Sequence, residues 1–183
     1  MTAKDKEPVK RVEKIIKEFD ENLNVSLLKT SARTALEAAT SLNCDVGAIV
    51  KSLLFKTDNK YALFLIAGDK KASLKKIKKN IKFSNVSMAS ADEVKNITGY
   101  TIGGVSPVGH KNNVDIYIDN SLKRFDFLFA AAGHPNCIFK ISFLDLKKNY
   151  KGCNWRYNRM KQPTLFDYLL LIFLALIWAS AFF

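Results

Sequence analysis

The chain has 183 residues, 48% of them hydrophobic, which is enough for one domain with a proper core and short for two. Its 29 lysines and arginines against 17 acidic residues give a formal charge of +12, a balance that favours polyanionic partners such as nucleic acid or an anionic membrane surface. Cys44, Cys137 and Cys153 lie far apart with no Cys or His ligand spacing, and the polar amino end has no apolar h-region, so a metal site, a disulfide framework and a secretory signal all go unsupported. Reduced thiols and an intracellular amino end are expected.

From Pro8 the residues Val9, Val12, Ile15, Ile16 and Phe19 recur at helical spacing, which predicts an amphipathic helix over 8–22 with proline in its first turn. Val25 to Lys29 reads as a short strand. Thr34-Ala-Leu-Glu37 is a capping-box signature that opens a helix running to about Asn43, and Asp45 to Val50 adds one more helical turn. Residues 49–55 and 61–67 are β-type runs separated by the turn pair Asp58-Asn59 and read as a hairpin. Within it, a period of two sets Lys51 on the face of Leu53 and Phe55, so its ammonium starts from an apolar wall or snorkels out of one. Lysines 70, 71, 75, 76, 78 and 79 then crowd a short basic helix around Leu74 and Ile77, which reads first as a solvated face.

Ser90-Ala-Asp-Glu93 caps a further helix that ends near Thr98 and delivers the chain into Thr98-Gly-Tyr-Thr-Ile-Gly-Gly-Val-Ser-Pro-Val-Gly-His110. Four glycines and a proline in this loop suit a backbone that something approaches closely. Residues 114–119, 127–132 and 137–142 read as strands, the last following the turn Gly133-His-Pro-Asn136, and Ser142-Phe-Leu-Asp145 caps a final short helix ending near Asn149. Helices and strands mix without regular βαβ alternation, which predicts an α+β fold: a mixed, barrel-like sheet flanked by helices. Residues 1–150 form this domain, residues 151–163 a basic linker, and residues 164–183 a hydrophobic helix. The stretch from Tyr168 to Phe183 carries no charge. It is short of the roughly 20 residues of a full transmembrane helix, but it has no polar face to leave in water, so membrane insertion as a marginal or truncated helix is expected, with the preceding cations keeping the domain on the cytoplasmic side.

Standard catalytic signatures are missing. Gly104 to Lys111 imitates a phosphate-binding loop, but His110 separates Gly109 from Lys111 and no Ser or Thr follows for magnesium. There is no G-x-S-x-G elbow and no H-E-x-x-H helix, and His110 and His134 are the only histidines. What remains is a lysine on an apolar face, a glycine loop and the 133–136 turn. That set suits stabilising an oxyanion on an already reactive ester. Each member also has a purely structural reading, with His134 as a turn cap and Cys137 as a small core residue.

In this order and at suitable separation, Ile49-Val-Lys-Ser-Leu-Leu-Phe55, the 98–110 loop and Ala131-Ala-Gly-His-Pro-Asn136 make the chain resemble the YbaK/EbsC family of aminoacyl-tRNA deacylases over roughly residues 8–150. The resemblance implies a fold related to the editing domain of bacterial prolyl-tRNA synthetases and a trans-editing activity: hydrolysis of the ester joining a wrong amino acid to the 3′ adenosine of a tRNA, with tRNA for proline expected. It implies catalytic roles for Lys51, Gly104 and His134. Gly103, Val105, Ser106, Pro107, Gly133 and Asn136 would bind substrate, with no cofactor and with aminoacylated tRNA and prolyl-tRNA synthetase as partners. Two departures stand out. No tyrosine precedes the second helix, where relatives acting on cysteine have one, and position 134 carries histidine where a branch of the family often has a small residue. A non-catalytic tRNA-binding module of the same fold is the alternative. So is the soluble part of a membrane transporter, since the tail resembles the opening helix of EamA-type transporters.

Overall fold

The structure, a computed structural model, describes residues 2–28, 32, 34–58, 60–81, 84–152 and 157–159. In chain order the elements are α1 (Glu7–Phe19), β1 (Val25–Leu27), α2 (Ala35–Leu42), β2 (Ile49–Thr57), β3 (Lys60–Ala67), α3 (Leu74–Ile81), β4 (Val86–Met88), α4 (Ala91–Thr98), β5 (Asp115–Ile118), β6 (Phe127–Ala131), β7 (Cys137–Ser142), α5 (Phe143–Gly152) and β8 (Tyr157–Arg159). Short 3₁₀ turns occupy Ala3–Asp5, Val46–Ala48 and Asn120–Arg124.

Local chemistry explains most boundaries. Thr34 Oγ1 accepts from the Glu37 N–H and Ser90 Oγ from the Glu93 N–H, so both capping boxes form as their spacing predicts. At the start of α5, Ser142 Oγ accepts from the Asp145 N–H at 3.0 Å. α1 stops at Phe19, short of residue 22, because Asp20 Oδ1 accepts from the Asn22 N–H at 2.9 Å and pulls the chain into a turn. Two strands escape the periodicity. β4 and β8 are three residues each, too short to display alternation, and β8 lies in the stretch expected to be a linker.

The sheet runs β1-β7-β6-β2-β3-β5-β8, with β4 pairing β2 off this path. Pairing is antiparallel except at β2–β6, β3–β5 and β5–β8. The expected barrel-like closure is corrected here: the order is linear and the sheet is open, with β1 and β8 at its two ends among the described residues. β2 is the branch point. One of its edges is covered by β3 from Val50 to Thr57, whereas the other pairs with β6 only at Ile49 and Val50 and with β4 only from Phe55 to Thr57. Among the described residues no strand pairs with Lys51, Ser52 or Leu53 on that edge, and Leu54 keeps one bond there, its carbonyl accepting from the Ala89 N–H at 3.1 Å.

Three hydrophobic clusters hold this arrangement. Val9, Val12 and Ile16 of α1 and Val94 of α4 pack on the face of β2 that carries Val50 and Leu54, together with Leu63 and Leu65 of β3. On the opposite face, Phe55, Phe64 and Tyr117 pack with Ile77 of α3, while Ala38 and Ala39 of α2 pack with Ile49 and Ile138. Full burial of such side chains contributes about 1.5–3 kcal/mol each. No described helix is long and apolar enough to cross a membrane. The hydrophobic C-terminal segment, and with it the expected membrane contact, lies outside the described residues.

Candidate active site

The uncovered stretch of β2 forms the floor of a pocket of about 600 Å³. Because alternate residues of a strand point to opposite faces, the lining takes Lys51 and Leu53 from one face and Val50, Ser52 and Leu54 from the other. Ala32, Thr34, Ala35 and Leu36 close one side, Val94, Gly103 and Val105 the other, and Phe129, Ala131, Pro135 and Ile138 the end near β6 and β7. Leu36, Met88 and Ile102, exposed at 64%, 58% and 64%, lie on this lining and leave a large apolar surface open to a ligand.

Lys51 is half-buried and donates from Nζ to the carbonyl of Lys70. Burial pushes its pKa below the ordinary lysine value. Asp69 opposes that shift and Lys71 adds to it. Asp69 is itself committed to Arg124 at 2.8 Å and Lys70 at 3.1 Å, so the corner beside Lys51 stays positive on balance. The exposed lysines of the turn and of α3, including Lys70, Lys71, Lys75 and Lys76, extend that field outward.

The 98–110 loop divides in function. Ile102, Gly103 and Val105 line the pocket. The Gly103 and Val105 amides have no hydrogen-bond partner among the described residues, whereas the Gly104 N–H donates to the Thr101 carbonyl at 2.9 Å. Gly104 stands behind the lining, so close to the 133–136 turn that an added Cβ would lie 2.8 Å from His134 Cα. The residue is glycine because two backbones meet there. Ser106 and Pro107 are buried inside the loop, not on the pocket. Ser106 Oγ accepts from the Val108 N–H, and its carbonyl accepts from His110 Nε2 at 2.7 Å. Burial depresses the His110 pKa to about 4, so the ring is neutral. The hydroxyl of Tyr100 reaches the Val108 and Gly109 carbonyls, each at 2.7 Å, and Arg11 Nε donates to Gly109 at 2.8 Å.

The 133–136 turn is a second support. Gly133 has φ 82° and lies so close to Pro8 that a Cβ would come within 2.6 Å of its carbonyl oxygen, which ties the turn to α1. His134 does not line the pocket. Its Nδ1 accepts from the Asn136 N–H at 3.2 Å and its Nε2 lies 3.1 Å from Lys6 Nζ, so the ring faces its own turn and the residue before α1. Desolvation, with Lys6 adding to it, lowers its pKa and keeps the ring neutral. The geometry fits the turn-capping role better than an acid or base aimed at the pocket. Asn136 gives its carbonyl to the Leu28 N–H at 2.9 Å, which docks the turn to β1. Cys137 is buried, and burial raises its thiol pKa, as suits a core residue.

Of the residues expected at the site, the structure therefore brings Lys51, Gly103 and Val105 to one pocket and places Gly104, Ser106, Pro107, Gly133, His134 and Asn136 in its supporting layer. Pro135, Ser52 and the apolar walls were missed. Ser52 and the apolar walls look like ordinary strand and core residues in sequence, with Ser52, a polar residue between Val50 and Leu54 on one strand face, carrying the one local signal among them, whereas Pro135 lies inside the 133–136 turn already singled out but without a role of its own.

Comparison with known proteins gives a consistent picture. The chain is 33% identical over 126 residues to the uncharacterised protein YwhH of Bacillus subtilis (strain 168), covering 68% of this chain and 80% of that one. It is 30% identical over 136 residues to the proline–tRNA ligase of Macrococcus caseolyticus (strain JCSC5402), covering 74% of this chain but only 24% of the ligase. A crystal structure described as that of a candidate trans-editing enzyme for prolyl tRNA synthetase superposes with a TM-score of 0.76 at 31% identity, covering 86% of this chain and 98% of that one. The model of the aminoacyl-tRNA editing domain matches residues 29–149, a span that holds Lys51, the glycine loop and the 133–136 turn. The chain belongs to the aminoacyl-tRNA editing domain family.

Proposed function

We propose that the protein is a trans-editing deacylase that hydrolyses the ester between a wrongly attached amino acid and the 3′ adenosine of a tRNA, with tRNA for proline as its natural body. The observation that carries this reading is the lysine-floored pocket at the bare edge of β2, inside the span that matches the editing-domain family. The relatives whose names concern proline favour that tRNA.

In this mechanism the aminoacyl group enters the pocket and the adenosine rests on the apolar surface of Leu36, Met88 and Ile102. Lys51 orients the ester, and the Gly103 and Val105 amides polarise its carbonyl as negative charge develops on the oxygen. Water adds to the carbonyl carbon, the bond to the ribose oxygen breaks, and that oxygen takes a proton. The products are the free amino acid and an intact 3′ end. Among the described residues the lining has no carboxylate or imidazole, so proton transfer runs through water or a substrate group, which an activated ester tolerates. Phosphates of the acceptor stem meet the basic surface in a sequence-independent, salt-sensitive contact. The protein acts in the cytoplasm beside prolyl-tRNA synthetase.

The test is release of Ala, Ser, Thr and Cys from a panel of charged tRNAs by the wild type and by Lys51→Ala. The variant is expected to lose about a hundredfold or more in rate, the usual weight of one electrostatic group at a developing oxyanion. Equal rates would refute the assignment, and salt-sensitive tRNA binding without turnover would mark a binding module instead.

A further inference from the structure

The face of β2 turned away from Lys51 presents one hydroxyl in an otherwise hydrocarbon wall. Val50 and Leu54, exposed at 5% and 2%, flank Ser52 on that face, and all three line the pocket with Ala89, Val94 and Val105. Ser52 Oγ is buried and has no hydrogen-bond partner among the described residues. Nearly all buried hydroxyls in native proteins are paired, so an unpaired one on a residue that lines a cavity points to a partner that arrives with the ligand, met by rotation about the Ser52 Cα–Cβ bond.

The chemistry of that partner is narrow. Among the described residues no aspartate or glutamate lines the pocket, so none of them beside Ser52 balances the substrate's ammonium, and a charged group at this depth would be poorly solvated. Alanine walls at 32, 35, 89 and 131 suit a small side chain that is neutral and carries one hydrogen-bonding atom. A methyl group would leave the Ser52 hydroxyl unpaired, as it already is without substrate. The proline ring has no polar atom beyond its nitrogen and gains nothing there. A side-chain hydroxyl can both donate to and accept from Ser52.

We propose that Ser52 is a specificity-determining residue that makes this pocket prefer seryl and threonyl esters over the alanyl ester. The proposal rests on the deacylase reading of the same pocket and names its substrate class. The preference is worth about tenfold in kcat/KM, the difference made by one net hydrogen bond.

The experiment charges one tRNA body in turn with serine, threonine and alanine, so that tRNA recognition cancels, and compares kcat/KM for the wild type and Ser52→Ala. The expected result is faster release of serine and threonine by the wild type and a ratio near one for the variant, through slower release of the hydroxylated residues alone. A wild type that releases alanine as fast, or a variant that keeps the ratio, would overturn the assignment while leaving the deacylase reading intact. No release from any ester would remove both. General damage to the fold would slow all three esters together, and the ratio would not change. Because Ser52→Ala deletes an unpaired buried hydroxyl, its Tm should be unchanged or higher. A drop of more than about 5 °C would mean a structural partner and would also count against the proposal.

Discussion

Between Ile102 and Val105 the glycine loop turns toward the pocket, with Ile102 64% exposed and the Gly103 and Val105 amides without a hydrogen-bond partner among the described residues. From Ser106 to Gly109 the same loop is buried, and its carbonyls are taken in turn by His110, Tyr100 and Arg11. The second half thereby holds the first in place. An oxyanion site needs donors that do not reorganise when charge appears, and a flexible glycine segment supplies them only when its other end is fixed. The difference teaches that loss of stability and loss of catalysis should separate along one loop.

The sharpest way to break that comparison is at Gly104, where the two halves meet. In Gly104→Ala the new Cβ would lie 2.8, 2.9 and 3.0 Å from His134 Cα, N and C, all backbone atoms that cannot swing aside. We expect a loss on the order of 4 kcal/mol in urea unfolding, together with most of the activity.

The anchored half has its own signature in pH. Burial holds the His110 pKa near 4 in the folded protein against 6.5 as its ordinary value. Above pH 6.5 neither state binds the proton. As the pH falls from there to about 4, the unfolded chain takes up a proton that the folded chain refuses, so stability is lost over this window, by about 3 kcal/mol in all. Equilibrium unfolding at stepped pH reads this directly. His134 is shifted in the same direction, so His110→Gln is the needed comparison. It keeps a donor for the Ser106 carbonyl and should flatten the His110 part of the curve, and an unchanged slope would show that the ring is not the source.

The smallest effect belongs to the exposed half. Ile102→Ser should leave stability within about 0.5 kcal/mol. It should slow deacylation about fivefold, on the order of 1 kcal/mol of lost apolar contact with substrate. Damage to stability instead of rate would reverse the roles assigned to the two halves.

How much of this could be read before the fold was known follows the range of the forces involved. Capping boxes at Thr34 and Ser90, the β2–β3 hairpin and the α4 stop before the loop are settled by residues within four positions of one another, and the sequence patterns predict them well. Closure of the sheet is a long-range matter, and the expected barrel is an open sheet. Lys51 stood out as a charge on an apolar strand face. The same period-two argument applied to the other face would have singled out Ser52. Ala32, Ala35, Ala89, Phe129 and Ile138 could not be found that way, because each is unremarkable among its neighbours and becomes a wall only when distant elements converge, whereas Ala131 and Pro135 lie inside the 131–136 motif without a role of their own there. The family resemblance is what implies a catalytic role for His134. The side chain turns instead toward Lys6, a partner no local pattern announces.

The pairing of β1 with β7 has a kinetic side. Val25 finds Phe139, and Leu27 finds Cys137, more than a hundred positions later. The strand at the bare edge of β2 likewise waits for β6, whose Phe129 pairs with Ile49. Contacts this distant make folding slow compared with a helical bundle of similar size, because the loop-closure entropy is spent before the contacts form. During synthesis the β2–β3 hairpin leaves the ribosome long before its pocket exists. A nascent chain stopped ahead of Cys137 lacks Ile138 in that pocket and the partner of its first strand, so an editing function can begin only once translation of this domain is nearly finished.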